Sequence, residues 1–169
     1  KAYNRAANAV VIAEIVSGGT AATAQAGTLA GLEAFVAQAG PAVYAGSKEM
    51  PTAFIGGASV WSLLIGGQDS TGRNKYNALN PMNANGRTGP QTLKGDFMGL
   101  DLYIDSAMVA TTIDECAFIV NPQSICIYES PKLTMSLNVV ATGEVNVLLY
   151  GYFATKTLIA TGLQRFDLT

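Results

Sequence analysis

Residues 52–76 read TAFIGGASVWSLLIGGQDSTGRNKY. Thr52 to Ile55 has the apolar character of a short buried strand, and Ser59 to Ile65 that of a short helix closed by Gly66-Gly67 as its C-cap. The tail, GGQDSTGRN at 66–74, outlines a phosphate-cradling loop, because Gly67 and Gly72 stand five positions apart with polar residues between them. Such a loop needs a Lys for the terminal phosphates, then a Ser or Thr for magnesium, then a helix N-terminus. Arg73 and Asn74 occupy those places, and an amide cannot serve where the metal needs a hydroxyl. The continuation NKYNALNPMNANGRTGPQT carries Pro81 and Pro90 among many Asn and Gly, so no helix follows to receive an anion. The stretch therefore reads as strand, helix and polar turn.

Upstream, KAYNRAANAVVIAEIV predicts a helix with Tyr3, Ala6, Val10, Ala13 and Val16 at helical spacing, ended by Ser17-Gly18-Gly19. Thr28 can cap a second helix carrying Leu29, Leu32, Val36 and Ala39, with Gly40-Pro41 as its stop. Downstream, residues 68–94 form a polar loop longer than compact domains usually tolerate. Its Arg73, Lys75, Arg87 and Lys94 give the stretch beyond Asp69 a local charge of +4, with no acid before Asp96. It is either a solvated segment or a surface that meets acidic partners. GLDLYID, AFIVN and ICIYES then read as strands. Leu133, Met135, Leu137 and Val139, with Val145, Val147, Leu149 and Gly151, alternate with polar neighbours across Thr142-Gly143, which predicts a long antiparallel hairpin with one apolar face. GLQRFDLT closes the chain as a short strand. Helices first and strands afterwards make the fold class α+β.

Composition narrows the function. The 169 residues suffice for one domain with a substantial core. Charged residues make up 13%, about half the usual share, and such a surface often has partners. A net charge of −2 with dispersed basic residues leaves no broad footprint for nucleic acid. Glycine and proline interrupt every apolar run before it reaches membrane-spanning length, so the chain reads as soluble. It opens on Lys1 with no basic and then apolar leader, as a cut or truncated N-terminus would. Cys116 and Cys126 read as reduced core residues in a reducing compartment. With no His, Ser-His and Cys-His catalysis and most zinc and iron sites are excluded.

Laid out in this order, the chain resembles the C-terminal part of the major capsid proteins of tailed bacteriophages, whose shell fold encapsulins share. The Ala-rich helix closing at Ser17-Gly18-Gly19, the helix around Leu29 to Ala39, and TAFIGG leading into ASVWSLLIGGQDSTGRNKY are similar to that family's helix, strand, and helix ending in an acidic, Gly-Arg-containing loop. DFMGLDLYIDSAM is similar to its Gly-Leu-Pro-Val strand and following turn, although Asp101 replaces the Pro. AFIVNPQSICIYES looks like its core strand, and the 132–155 hairpin resembles the sheet of the peripheral domain. The resemblance spans nearly the whole chain and rests on diffuse patterns in order.

It implies that residues 1–19 end a peripheral-domain helix, 20–122 form the axial domain, 123–157 supply peripheral-domain strands, and 158–169 return to the axial domain. It implies a structural subunit assembling into pentamers and hexamers that enclose a genome, located in the virion and assembled in the host cytoplasm. Its main partner is itself, with scaffold, portal or decoration proteins as further partners, and no specific nucleic-acid site, membrane, cofactor or metal. The loop around Asp69 to Asn80 would meet its copies near a capsomer centre. The family's N-terminal arm, extended loop and spine helix are missing from this sequence, and the Lys of the covalent crosslink found in some relatives belongs to that extended loop. No crosslinking residue is therefore assigned.

The candidate inter-subunit contacts are Asp69, Arg73, Lys75, Tyr76, Arg87, Tyr150 and Tyr152. The two late tyrosines share the polar side of the hairpin with Leu148, as an interface patch or as packing against a helix. An encapsulin-like compartment shell is the alternative function. A small α+β enzyme is the third, using Asp101 and Asp105 on one strand with Asp114-Glu115 in the following turn. At a strand surface such carboxylates more commonly guard an edge against aggregation.

Overall fold

The computed structural model describes residues 2–73, 93–105, 107–108, 114–139 and 145–169. Helix α1 spans Ala2–Gly18 and is followed by the two-residue strand β1, Thr20–Ala21. The stripe that α1 buries only partly follows the one its spacing suggested. Ile15 is buried, with Val11, Ile12 and Val16 packed beside it, while Val10 is exposed. The bulkier isoleucines set the helix rotation, since they withdraw more apolar surface from water than the alanines of the other row.

Helix α2 spans Leu29–Ser47 and begins as expected, with the Thr28 hydroxyl accepting the Gly31 N–H. Such a cap is worth about 1 kcal/mol. The helix does not stop at Gly40-Pro41 but runs through Pro41 to a left-handed cap at Lys48. Proline deprives the Ala37 carbonyl of its helical partner. Both residues face solvent, where water can take that place, while Val43 in the next turn is fully buried and holds the C-terminal half on the core.

Strand β2, Ala53–Gly56, leads into helix α3, Ala58–Gly66, as the opening stretch indicated. Gly67 caps α3, but in an extended rather than a left-handed conformation, with φ −69°. Glycine is favoured there by contact: a Cβ would push on the end of the Leu29 side chain and stand 3.1 Å from the Leu63 carbonyl oxygen. Strand β3, Leu93–Phe97, starts inside the segment read as loop. It turns into β4, Leu100–Ile104, through Met98-Gly99, both at positive φ (51° and 82°), the geometry of a tight two-residue hairpin turn.

Strands β5 (Ala117–Val120) and β10 (Leu163–Arg165) complete a six-stranded mixed sheet in the order β1-β10-β5-β2-β4-β3. Both faces are covered. Phe54, Ala117 and Ile119 point toward α2 and α3, where Phe35 meets Phe54 and Phe166 edge-on at 6.5 and 5.5 Å between centroids. Ile55, Phe118 and Val120 point the other way, toward Ile15 of α1. This explains why β5 is apolar at every position.

The remaining strands leave the sheet. Strand β6, Ile125–Glu129, pairs antiparallel with β9, Phe153–Thr157, and β7, Leu133–Val139, pairs with β8, Val145–Tyr150. Between the pairs, the Ser130 N–H donates to the Tyr152 carbonyl (2.8 Å), and the Tyr152 N–H donates to the Ser130 hydroxyl (2.7 Å). The four strands thus form one long two-stranded ribbon. The expected hairpin is present and longer than anticipated, whereas its register differs from the single apolar face. Leu133 stands opposite Tyr150, Thr134 opposite Leu149 and Ser136 opposite Val147, so each apolar row faces polar or mixed positions. The expected Thr142-Gly143 turn lies outside the described residues. Cys116 is buried as expected, but Cys126, on the ribbon rather than the sheet, is only half-buried.

Candidate functional site

The GGQDSTGRN segment folds back on itself. Asp69 Oδ1 accepts the Thr71 N–H (2.8 Å), the Thr71 hydroxyl (2.7 Å) and the Arg73 N–H (3.0 Å), while the Asp69 N–H donates to the Arg73 carbonyl (2.8 Å). Amides that a phosphate loop would aim at a nucleotide are here satisfied by the loop's own carboxylate. The Thr71 hydroxyl, helped by the Arg73 and Thr71 amides, holds the Asp69 carboxyl below the usual aspartate value. The turn is exposed and rigidly hydrogen-bonded, a shape suited to contact rather than to chemistry. Lys75, Tyr76 and Arg87 lie outside the described residues.

The ribbon supplies the other candidates. Tyr150 is 38% and Tyr152 is 79% exposed, so neither is a core residue. Tyr152 shares a groove of about 630 Å³ with Ile127, Tyr128 and Phe153. Ile127 and Tyr128 are more than half exposed, an arrangement typical of association surfaces. These two belong with the candidates but were missed; their alternation in ICIYES was legible, but not that β6 would leave the sheet. The Cys126 side chain beside the Tyr128 phenol raises its pKa.

The carboxylates proposed for chemistry do not converge. Asp101 stands opposite Asp96 in the β3–β4 register. Asp105 takes the Ala107 N–H (2.8 Å) and the Asn8 side-chain amide (3.1 Å). Asp114 accepts the Leu168 N–H at 3.1 Å, and Glu115 pairs with Arg165 at 3.1 Å. Each closes a different local structure. Among the described residues no helix is long and apolar enough to cross a membrane.

A two-faced mixed sheet with a projecting ribbon and an exposed turn after α3 is an architecture found in known shells. A chain of Mycobacterium phage Che8 superposes with a TM-score of 0.69 at 14% identity, over 98% of this chain and 59% of its own. The virus-like particle from Pyrococcus furiosus gives 0.66 at 13% identity, over 96% and 63%. The fold is that of a tailed-phage major capsid protein. The capsid of the empty GTA particle gives 0.60 at 16% identity, over 89% of this chain and 49% of its own. The chain spans about half to three-fifths of the length of these capsid-fold chains. No family model and no curated protein matches the sequence.

Proposed function

We propose that the chain is a structural subunit of an icosahedral phage capsid, self-associating into pentamers and hexamers that enclose the genome in the virion, with assembly in the host cytoplasm. The observation that carries this is the match of 98% of the chain to a phage chain at a TM-score of 0.69. Under this reading the six-stranded sheet with α2 and α3 is the axial domain (20–122 and the returning 158–169). The ribbon (123–157) and the end of α1 (1–19) are peripheral. That β10 pairs with β1 and β5, while β6 to β9 pair only with one another, supports the division. Asp69 and Arg73, with Lys75, Tyr76 and Arg87, meet their copies near the capsomer centre, and Tyr150 and Tyr152 make lateral contacts. Scaffold, portal or decoration proteins are further partners.

A second reading, an encapsulin-like compartment shell, draws on the likeness to a virus-like particle. Negative-stain electron microscopy of the full-length gene product separates the readings. Closed particles of one or two diameters containing nucleic acid are expected, and protein contents would favour the compartment. Particles that remain small and dispersed, even with the co-expressed neighbouring genes, would overturn both.

A further inference from the structure

Helix α1 and the ribbon meet at one carboxylate. Glu14 Oε1 accepts the Thr157 N–H at 2.8 Å and lies 3.8 Å from Lys156 Nζ. Its side chain is 20% exposed, against 74% for Lys156, so Glu14 is the seated partner and Lys156 the solvated one. Thr157 ends β9, and its N–H is an edge-strand donor that Glu14 satisfies in place of a further strand. Gly18 lets the helix end approach this closely, since a Cβ there would overlap the Thr157 side chain, 2.8 Å from its Cβ. The root of the ribbon is held differently, by backbone bonds and by Ile125 packed against the cluster around Ile15. The Leu158 and Ile159 N–H groups both donate to the Ser124 carbonyl, at 2.8 and 3.3 Å. Two bonds converging on one acceptor form a pivot, and the side-chain tie one residue away fixes the angle about it.

We propose that Glu14 is a latch, a positioning residue whose ionised carboxylate sets the angle of the ribbon to α1, and whose removal frees the ribbon while the six-stranded sheet stays folded. The charged groups around it fit that role. Lys156 approaches from β9. From β10, Arg165 places Nη1 on the Val16 carbonyl (2.9 Å) and on Glu115 (3.1 Å), while its buried Nε has no partner among the described residues. The Thr157 amide foremost, with Lys156 as a weaker help, holds the Glu14 carboxyl below the usual glutamate value against the cost of desolvation. A lowered pKa means the latch is closed at neutral pH and opens only as pH falls through that lowered value. This joint lies within one chain and stands whether or not the chain builds a shell.

Hydrogen exchange with mass spectrometry on the folded chain tests it. At pH 7, Glu14→Ala should speed exchange across 153–157 by about tenfold, and Glu14→Gln by less, with β2 and β5 unchanged. Lys156→Met should stay within about twofold of wild type. Unchanged exchange in the ribbon, or equal acceleration in ribbon and sheet, would overturn the proposal. Should the variants not fold, the wild type decides by acid titration. The Glu14 carboxyl resonance and the Thr157 amide resonance should move together, with one midpoint below the usual glutamate range, and separate midpoints would overturn it.

Discussion

Asp69 Oδ1 lies 3.0 Å from the Arg73 amide nitrogen and also holds both the amide and the hydroxyl of Thr71. One oxygen therefore organises the turn after α3. Because these donors lower its pKa, the turn's order is present above the usual aspartate value and lost as pH falls through the lowered one. The Thr71 and Arg73 amide resonances should titrate together with a midpoint below the usual aspartate range. Independent titration, or a midpoint at the ordinary value, would show that the carboxylate does not hold the loop.

Proline 41 offers a second test. Pro41→Ala restores a helical hydrogen bond on the solvent face of α2 and should stabilise the fold by about 1–3 kcal/mol. Thermal denaturation should move upward by several degrees. An unchanged melting point would mean that the bond Pro41 removes costs the fold nothing.

The β3–β4 turn gives a third. Met98 sits at φ 51°, a region costing a non-glycine residue about 1 kcal/mol that Asn tolerates better. Met98→Asn should raise stability by about 0.5–1 kcal/mol in urea denaturation. A loss of stability would indicate that the half-exposed methionine side chain has a packing role.

Core and ribbon should respond oppositely. Phe35 is fully buried against Phe54 and Phe166, so Phe35→Ala should cost about 3–5 kcal/mol. Tyr152→Ser, on the exposed groove, should change stability by less than about 0.5 kcal/mol yet impair particle formation by the full-length protein. Normal particles from Tyr152→Ser would remove the groove from the contact surface.

Much of the fold was legible because strong periodicity and glycine punctuation coincide. Thr28 as a cap, Ala53–Gly56 as a strand and Ala58–Gly66 as a helix all follow from local signals. What escaped had physical reasons. Pro41 stops a helix only where the lost bond cannot be met by water. Met98-Gly99 carries no Asn-Gly signature, so the β3–β4 hairpin was hidden in a polar tract. The faces of the long hairpin were misread because alternation within a strand does not fix its register against a partner. At the candidate site, Asp69 was recognisable as part of a cap and turn, while the exposure of Tyr128 and Ile127 depended on which strands join the sheet.

The ribbon's two sides differ in length. Between paired ends, 15 residues run from Ile125 to Val139 but only 13 from Val145 to Thr157. The surplus enters at two bulges, one at Ser130–Lys132 and one between Leu137 and Val139. Bulges bend the strand that carries them and increase its twist. The projecting arm is therefore curved by arithmetic written into its sequence, as a lane on the outside of a bend must be longer than its neighbour. Deleting one residue from the longer side would straighten it, and an arm of altered curvature would present its exposed tyrosines in a different direction.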